Sequence, residues 1–166
     1  MNTLLNQIHS TVYLPYGLLL SNFQNEEESQ EYDACQFRLN ELLINNRSAK
    51  VTPKKVGQFV TFWKRSKNGP IAPYHETDTF DFFIVNVQTA TQFGQFVFPK
   101  SILIQKGILS TDRKEGKRAF RVYPSWDIAQ NKQAQRSQKW QLDYFYEINT
   151  NIDRKKVLKL YQTTSI

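Results

Sequence analysis

The sequence predicts an α/β (α+β) fold with a single domain, in which a mixed β-sheet is flanked by helices. Aromatic residues are plentiful, with 12 Phe, 8 Tyr and 3 Trp, and many of them stand in the alternating patterns that are typical of strands. Segments with a helical spacing of apolar residues lie between these strands. Interleaved helices and strands pack as a sheet covered by helices, and a chain of 166 residues is long enough to bury such a core.

The N-terminal region of the chain predicts a helix followed by a hairpin. Apolar residues fall on one helical stripe over residues 3–12, which predicts a short amphipathic helix. Residues 25–35 are acidic and polar, and they predict a helical or turn segment whose Glu residues suit the positive end of a helix dipole. From residue 37 the period changes to two. Residues 37–39 and 42–51 therefore predict two strands joined by a turn at Asn40 and Glu41.

A helix is predicted over residues 53–65. Thr52 is a favourable N-cap, and Pro53 suits the first helical position because its missing amide hydrogen is not needed there. Four apolar residues then recur at helical spacing: Val56, Phe59, Val60 and Trp63. Gly57 weakens the helix and indicates a close approach to another element. Such a helix directs Lys54, Lys55 and Lys64 to solvent, where they can meet phosphates.

The second half of the chain predicts the centre of the sheet. Residues 80–87 are nearly all apolar, which is typical of a central strand covered on both faces, and residues 93–98 return as its partner. Pro99 ends that strand, and a short helix over residues 100–106 ends at Gly107. The remaining pattern predicts two strands, over residues 119–123 and 143–148, and two helices, over residues 127–141 and 153–161.

Charge is distributed unevenly along the chain. Residues 1–46 hold six acids and one base, Arg38, and the other residues hold 21 bases and nine acids. The segment 47–67 contains seven bases and no acid, with aromatic residues among them. Such a field attracts polyanions, and nucleic acid is the first candidate. The domain 1–166 thus has an acidic N-terminal segment over residues 1–46 and a basic core over residues 47–166; a basic surface that serves only solubility is the alternative.

The motifs disfavour several classes of protein. Cys35 is the only cysteine, so no intrachain disulfide is possible and a reducing cytoplasm is the expected compartment. The N-terminal residues do not have the pattern of a signal peptide, and no apolar run is long enough to span a bilayer. Glycine-rich nucleotide loops are absent, and His9 and His75 are not spaced as zinc ligands. We therefore expect no metal and no cofactor, with a hard-cation site on the carboxylates of residues 75–81 as the alternative.

Three stretches carry a distinctive combination of motifs: residues 47–65 (RSAKVTPKKVGQFVTFWKR), 80–107 (FDFFIVNV, then FGQFVFPKSILIQKG) and 116–126 (GKRAFRVYPSW). In this combination the chain resembles the MepB family of small bacterial proteins, and the resemblance extends through nearly its whole length. The resemblance implies that the gene lies beside a multidrug efflux pump and its MarR-type repressor. It also implies a core similar to restriction-endonuclease-like folds.

Nucleases with that fold place an Asp on one strand and a (D/E)-x-K group on the next, where two carboxylates hold Mg²⁺ and the lysine supports the attacking water. Asp81 and Lys100 fit this layout. The residue two positions before Lys100 is Phe98, which offers no ligand to a metal. We therefore expect a degenerate nuclease core with no catalytic residues. The alternative is a nuclease dependent on Mg²⁺ or Mn²⁺, in which Glu31 supplies the missing acid beside Asp81 and Lys100.

The expected function is binding of nucleic acid with low sequence specificity, with DNA favoured over RNA and no membrane involved. The candidate binding residues are basic, with one aromatic residue among them: Lys54, Lys55, Lys64, Arg65, Lys100, Lys117, Arg118, Arg121 and Trp126. If they are exposed, Tyr123, Trp126 and Trp140 offer stacking surfaces for unpaired bases. The other alternative is a protein-interaction or regulatory role in a drug-efflux operon, for which the sequence identifies no partner. Nucleic-acid binding requires that the bases of residues 50–67 and 100–121 share one continuous groove.

Overall fold

The computed structural model describes residues 1–162 and, within them, four α-helices and eleven β-strands. The helices are α1 (Thr3–Ile8), α2 (Lys100–Gln105), α3 (Lys132–Gln141) and α4 (Arg154–Leu160). The strands are β1 (Leu20–Asn25), β2 (Cys35–Leu39), β3 (Leu42–Ser48), β4 (Lys50–Val51), β5 (Gln58–Thr61), β6 (Trp63–Arg65), β7 (Ile71–Pro73), β8 (Phe82–Gln88), β9 (Phe93–Pro99), β10 (Ala119–Val122) and β11 (Phe145–Glu147).

Six of these strands form the central sheet, in the order β1-β2-β3-β8-β9-β11. Strands β3 and β8 run parallel, and the other neighbouring pairs are antiparallel. The predicted mixed sheet flanked by helices is therefore confirmed. Two smaller sheets, of order β10-β5-β4 and β6-β7, lie beside it.

Each face of the central sheet has its own hydrophobic cluster. Helix α1, the π-helical turn that follows it and helix α4 cover one face, where Leu5, Ile8 and Val157 pack against strands β2, β3 and β8. The two smaller sheets and helix α2 cover the other face, where Val60 and Leu103 are buried. Strand β8 contributes side chains to both clusters, which explains why its sequence is almost continuously apolar.

The predicted hairpin at the centre of the sheet is confirmed. Strands β8 and β9 pair from Phe82 opposite Pro99 to Gln88 opposite Phe93. Pro99 is the N-cap of α2, and Gly107 follows that helix with a φ of 69°, a left-handed conformation in which glycine costs little. Helix α2 therefore begins directly at the end of β9, after Pro99, and ends before Gly107.

The predicted helix over residues 53–65 is wrong. Residues 52–57 form a loop, and the chain then continues as strands β5 and β6. The side chains of Gln58, Val60 and Phe62 are buried and alternate with less buried neighbours, as in a strand. Aromatic and β-branched residues favour this conformation, and pairing with β10 satisfies the backbone of β5.

Polar side chains are buried between the sheet and helices α1 and α4. The Gln95 Oε1 atom accepts hydrogen bonds from the hydroxyl groups of Tyr161, at 2.7 Å, and Tyr146. The Gln95 Nε2 atom donates to the hydroxyl oxygen of Tyr13 at 3.1 Å. Because Tyr13 follows α1 and Tyr161 follows α4, Gln95 connects both helices to the middle of the sheet.

The same row of hydrogen bonds continues across the neighbouring strands. Gln95 Nε2 also donates to Asn86 Oδ1 at 2.7 Å, and Asn86 Nδ2 donates to Asn46 Oδ1 at 3.1 Å. Asn46 Nδ2 in turn lies 3.4 Å from the sulfur of Cys35. Burial raises the pKa of the Cys35 thiol to about 12, so this cysteine is a protonated core residue and not a nucleophile.

No helix within residues 1–162 is both long and apolar enough to cross a membrane.

Candidate nucleic-acid interface

A wide groove opens between the small sheet β10-β5-β4 and helix α3, with a cavity volume of about 670 Å³. Its walls carry five basic side chains: Lys54, Lys55, Lys106, Lys117 and Arg121. The residues of the described chain that line it include no Asp or Glu. The groove therefore joins bases from the two basic regions of the sequence, residues 50–67 and 100–121, in one positively charged concavity.

Arg121 holds the loop that carries Lys54 and Lys55. Its Nη2 atom donates to Thr52 Oγ1 at 2.6 Å, and its Nη1 atom lies 3.4 Å from the carbonyl oxygen of Val56 and 3.3 Å from that of Gly57. The planar guanidinium thus connects both ends of the loop 52–57. Arg121 contributes charge to the groove and also sets the position of the two lysines.

Gly57 brings this loop against strand β10. Its φ is 84°, and a Cβ atom at this position would lie 2.6 Å from a ring carbon of Tyr123. Glycine is required both for the left-handed backbone and for the close approach. Beside it, burial raises the pKa of the Asp127 carboxyl, and a hydrogen bond from the Gly57 backbone opposes that shift. The close approach indicated by Gly57 in the sequence is therefore present, with strand β10 as the partner.

A side chain of α3 completes the free edge of β10. The Gln141 Oε1 atom accepts from the backbone N–H of Tyr123 at 2.8 Å, and its Nε2 atom donates to the carbonyl oxygen of Arg121 at 2.9 Å. Gln141 is 1% exposed. One amide side chain thus takes the place of a neighbouring strand, so the helix and the strand that form opposite walls of the groove are held together.

Four aromatic side chains also line the groove: Phe59, Phe120, Tyr123 and Trp140. All four are partly buried. Trp140 packs on the buried ring of Phe98, with ring centroids 5.4 Å apart, and Phe120 packs on the same ring at 6.3 Å. Lys106 Nζ lies 5.6 Å from the centroid of Trp140. The floor of the groove is therefore aromatic where its rim is cationic.

Four of the nine predicted binding residues lie in this groove, namely Lys54, Lys55, Lys117 and Arg121. Three others form ion pairs outside its lining: Lys64 with Asp78 at 2.7 Å, Arg65 with Glu28 at 2.8 Å and Arg118 with Glu115 at 2.9 Å. Lys106 was not among the nine residues, although the sequence places it in the second basic segment. Its position at the end of α2, next to Trp140, is a property of the fold.

The structure places Trp126 against the core and outside the lining of the groove. Its ring meets that of Phe145 edge to face, with centroids 5.8 Å apart, and its Nε1 atom is buried with no hydrogen-bond partner among the described residues. Trp140 and Tyr123 line the groove instead. The residues that precede Trp126, Pro124 and Ser125, do not indicate in the sequence that its ring packs against the core.

The residues of the nuclease alternative are engaged in structural contacts. Asp81 Oδ2 accepts from the backbone N–H of Leu43 at 2.8 Å, and Lys100 Nζ donates to the carbonyl oxygen of Asp78. Phe98 is fully buried. Glu31 precedes β2, whose Cys35 pairs with Asn46 near the far end of β3 from Leu43. The register therefore places Glu31 and Asp81 at opposite ends of the sheet.

Two of the carboxylates of residues 75–81, those of Asp78 and Asp81, are likewise engaged in structural contacts. Asp78 accepts from the backbone N–H of His75 at 2.7 Å and pairs with Lys64. Within the portion of the chain that the structure describes, no group of three or more His, Cys, Asp or Glu side chains is arranged to hold a metal ion.

The acidic N-terminal segment packs beside the basic segment and leaves the groove open. Glu26 lies 2.6 Å from the guanidinium of Arg47, which is completely buried, and Glu28 pairs with Arg65. Lys50 lies 5.0 Å from the centroid of the Tyr32 ring. The described lining of the groove contains no residue from 1–46. The acids therefore neutralise bases outside the groove.

The fold and this groove define a mixed α+β protein with a cationic, aromatic-floored cleft. Residues 26–147 match the MepB-like family model, and the chain belongs to this family. It is similar to a crystal structure of MepB, with 35% sequence identity, a TM-score of 0.78 and coverage of 91% of this chain and 100% of that one.

A more distant likeness joins the chain to the solved structure of a bacterial homing endonuclease, I-Ssp6803I. The sequence identity is 17% and the TM-score is 0.45, over 86% of this chain and 93% of the other. Among curated proteins none matches the chain.

Proposed function

We propose that the groove binds nucleic acid through the sugar-phosphate backbone, with low sequence specificity and with DNA favoured over RNA. The observation that supports this proposal is the convergence of five bases on one concavity whose lining, among residues 1–162, includes no Asp or Glu. Lysine and arginine side chains that meet phosphates release condensed counterions, and this release drives binding without regard to sequence. The sequence has no zinc finger or helix-turn-helix motif that reads base edges.

Titration of fluorescent oligonucleotides at two salt concentrations tests this proposal. We expect the logarithm of the binding constant to fall by roughly 0.7 to 0.9 per phosphate contacted for each tenfold rise in salt. The variant Lys54→Ala/Lys55→Ala removes two charges from the groove, so it should bind roughly tenfold more weakly at low salt and show a shallower salt dependence.

The chain offers a matched control for that variant. Lys155 and Lys156 are also adjacent and exposed, but they lie on α4, across the central sheet from the groove. Lys155→Ala/Lys156→Ala changes the net charge equally and should bind almost as the unmodified protein does. An equal loss of affinity in both variants would show that only the net charge of the protein matters. Absence of binding by the unmodified protein at low salt would contradict the proposal.

We further propose that binding is not followed by hydrolysis and that no metal cofactor is used. The contacts of Asp81 and Lys100 and the aromatic residue at position 98 support this view. Incubation of supercoiled plasmid with the protein and Mg²⁺ or Mn²⁺ should leave the plasmid intact. Cleavage that disappears both with a chelator and in Asp81→Ala would establish the nuclease alternative.

The family resemblance supports a proposal about the setting of this activity. We propose that the protein acts in the cytoplasm and that its gene lies beside a multidrug efflux pump and a MarR-type repressor. Sequencing of the flanking genes and fractionation of cells test these two points separately.

A further inference from the structure

The floor of the groove is a pair of rings supported from below. Trp140 and Phe120 both pack on Phe98, and Phe120 also lies 6.0 Å from the buried ring of Phe83. Phe98 and Phe83 are completely buried in the cluster beneath the groove. Because one side of each floor ring is fixed by the core, a ligand that stacks on the other side has little side-chain freedom to remove.

The cations stand where the phosphates of such a ligand would lie. Lys106 Nζ is 5.6 Å from the centroid of Trp140, and Lys117 and Arg121 line the same groove as Phe120. A base stacked on the floor would therefore keep its phosphate within reach of the rim. Aromatic rings among backbone-contacting bases are the arrangement by which proteins hold unpaired nucleotides.

The opposite wall is polar without being charged. Helix α3 and the turn before it present Gln130, Gln133 and Ser137 to the groove. Amide and hydroxyl groups can both donate and accept hydrogen bonds, so they can meet the edges of different bases. In a duplex these edges are paired and the base faces are stacked on each other, so neither would reach the floor or this wall.

The size of the groove also favours unpaired nucleotides as its ligand. A volume of about 670 Å³ falls within the roughly 300–1,000 Å³ of sites that enclose a ligand the size of a small organic molecule. One or two nucleotides have that size. A double helix, whose major groove alone is about 12 Å wide, would meet only the rim.

We propose that the groove selects single-stranded nucleic acid, by stacking unpaired bases on Trp140 and Phe120 while Lys106, Lys117 and Arg121 hold the phosphates. This inference rests on the proposed binding of nucleic acid and adds its class: an unpaired strand, recognised by its bases as well as by its charge.

The test compares ligands that have the same number of phosphates. These are oligothymidylate, oligouridylate, an abasic oligodeoxyribose phosphate of equal length and a duplex. We expect both base-bearing single strands to bind about 10- to 100-fold more tightly than the abasic strand, which corresponds to one stacked base, and more tightly than the duplex per phosphate. Equal, salt-sensitive affinity for all four would overturn base stacking while leaving groove binding intact. Absence of binding to all four would overturn both proposals.

Substitutions of Trp140 in the floor test whether the bases stack on this ring. Trp140→Leu should lose most of the preference for base-bearing single strands over the abasic strand. Trp140→Phe, which keeps a ring, should retain a large share of that preference. Trp63→Leu is the matched control, because Trp63 is also partly buried but lies outside the lining of the groove. Near-ultraviolet circular dichroism shows whether each variant retains its packing.

Tryptophan emission gives a second readout in case Trp140→Leu does not fold. Oligothymidylate should quench the emission of the unmodified protein, and Trp140→Phe should abolish that quenching while binding persists. Quenching that survives in Trp140→Phe would show that the bases stack elsewhere and would overturn the assignment.

Discussion

Side chains around the groove divide into those that meet solvent and those that fix the others in place. Lys54, Lys55 and Lys117 are exposed, whereas the guanidinium of Arg121 is engaged by Thr52 and two carbonyl groups. A substitution at Arg121 therefore changes the geometry of the lysine loop together with the local charge.

Gly57 should contribute measurably to the stability of the protein. Gly57→Ala should lower the free energy of unfolding by about 2 kcal/mol or more, because alanine strains a backbone with positive φ and its Cβ would overlap the Tyr123 ring. Gly17→Ala is the control, since Gly17 has a similar φ of 75° and open space around its missing Cβ. We expect its cost to be about 1 kcal/mol. Urea denaturation measures both, and equal costs would show that the contact with Tyr123 contributes nothing.

The sequence does not show which basic side chains near the site form ion pairs. Four of the predicted basic residues line the groove, but Arg65 pairs with Glu28 over 37 positions and Lys64 pairs with Asp78 over 14. No local spacing rule reports such pairs. Only Arg118 and Glu115 stand three positions apart. Which cations are neutralised therefore depends on the fold.

Among the elements, β5 shows where periodicity alone misleads. Val56, Phe59, Val60 and Trp63 fit a helical stripe, yet Val60 and Phe62 face the core at a strand period of two. The competing signal was composition, because the run from Phe59 to Trp63 is made of aromatic and β-branched residues. Strands β8 and β9 were predicted correctly because their aromatic and β-branched composition, their length and the terminating Pro99 agree.

The edge of β10 depends on the buried side chain of Gln141. Gln141→Leu removes the side chain that pairs with two backbone groups of that strand, so both lose their partner in a buried site. We expect the free energy of unfolding to fall by about 2 to 4 kcal/mol. Gln133→Leu makes the same chemical change at an exposed position of the same helix and should alter stability by less than about 0.5 kcal/mol. Chemical denaturation monitored by circular dichroism compares the two, and a similar small effect of both would contradict the role of Gln141.

Over the whole molecule, the mixed sheet and most of its elements follow from the sequence, whereas the smaller sheets do not. Strands β4, β6 and β7 span only two or three residues each, too short to show a period. Strand β1 is an edge strand with mostly exposed side chains, and its register is broken between Ser21 and Gln24. Its sequence therefore lacks the alternation that marks a half-buried strand.

Alkaline pH should unfold the molecule through its buried tyrosines. Burial raises the pKa of Tyr13 to about 12 and raises the pKa values of Tyr146 and Tyr161 well above the ordinary value. In the unfolded chain these groups ionise near pH 10. Their contribution is therefore fully present below about pH 10 and is lost as the pH rises toward 12, with a slope of about 1.4 kcal/mol per pH unit for each group.

Stability measured by urea denaturation between about pH 9 and 11.5 checks this prediction. Tyr13→Phe removes one ionisable group, so its stability should decline less steeply over the same interval, whatever its absolute stability. A free energy of unfolding that stays constant above pH 10 would contradict the assignment.

The hydrogen-bonded side-chain amides of Asn46, Asn86 and Gln95, which cross the central sheet, all point in the same direction. Asn46 gives its N–H to the sulfur of Cys35, so its oxygen faces Asn86; Asn86 must then turn its own oxygen toward Gln95, whose oxygen is left for Tyr146 and Tyr161. Reversing Asn86 alone would set its oxygen against Asn46 Oδ1 and its nitrogen against Gln95 Nε2. Reversing Asn46 or Gln95 alone would set like atoms against each other at Asn86. The three amides are therefore oriented together, with a single polarity that runs from strand β2 to the two tyrosines.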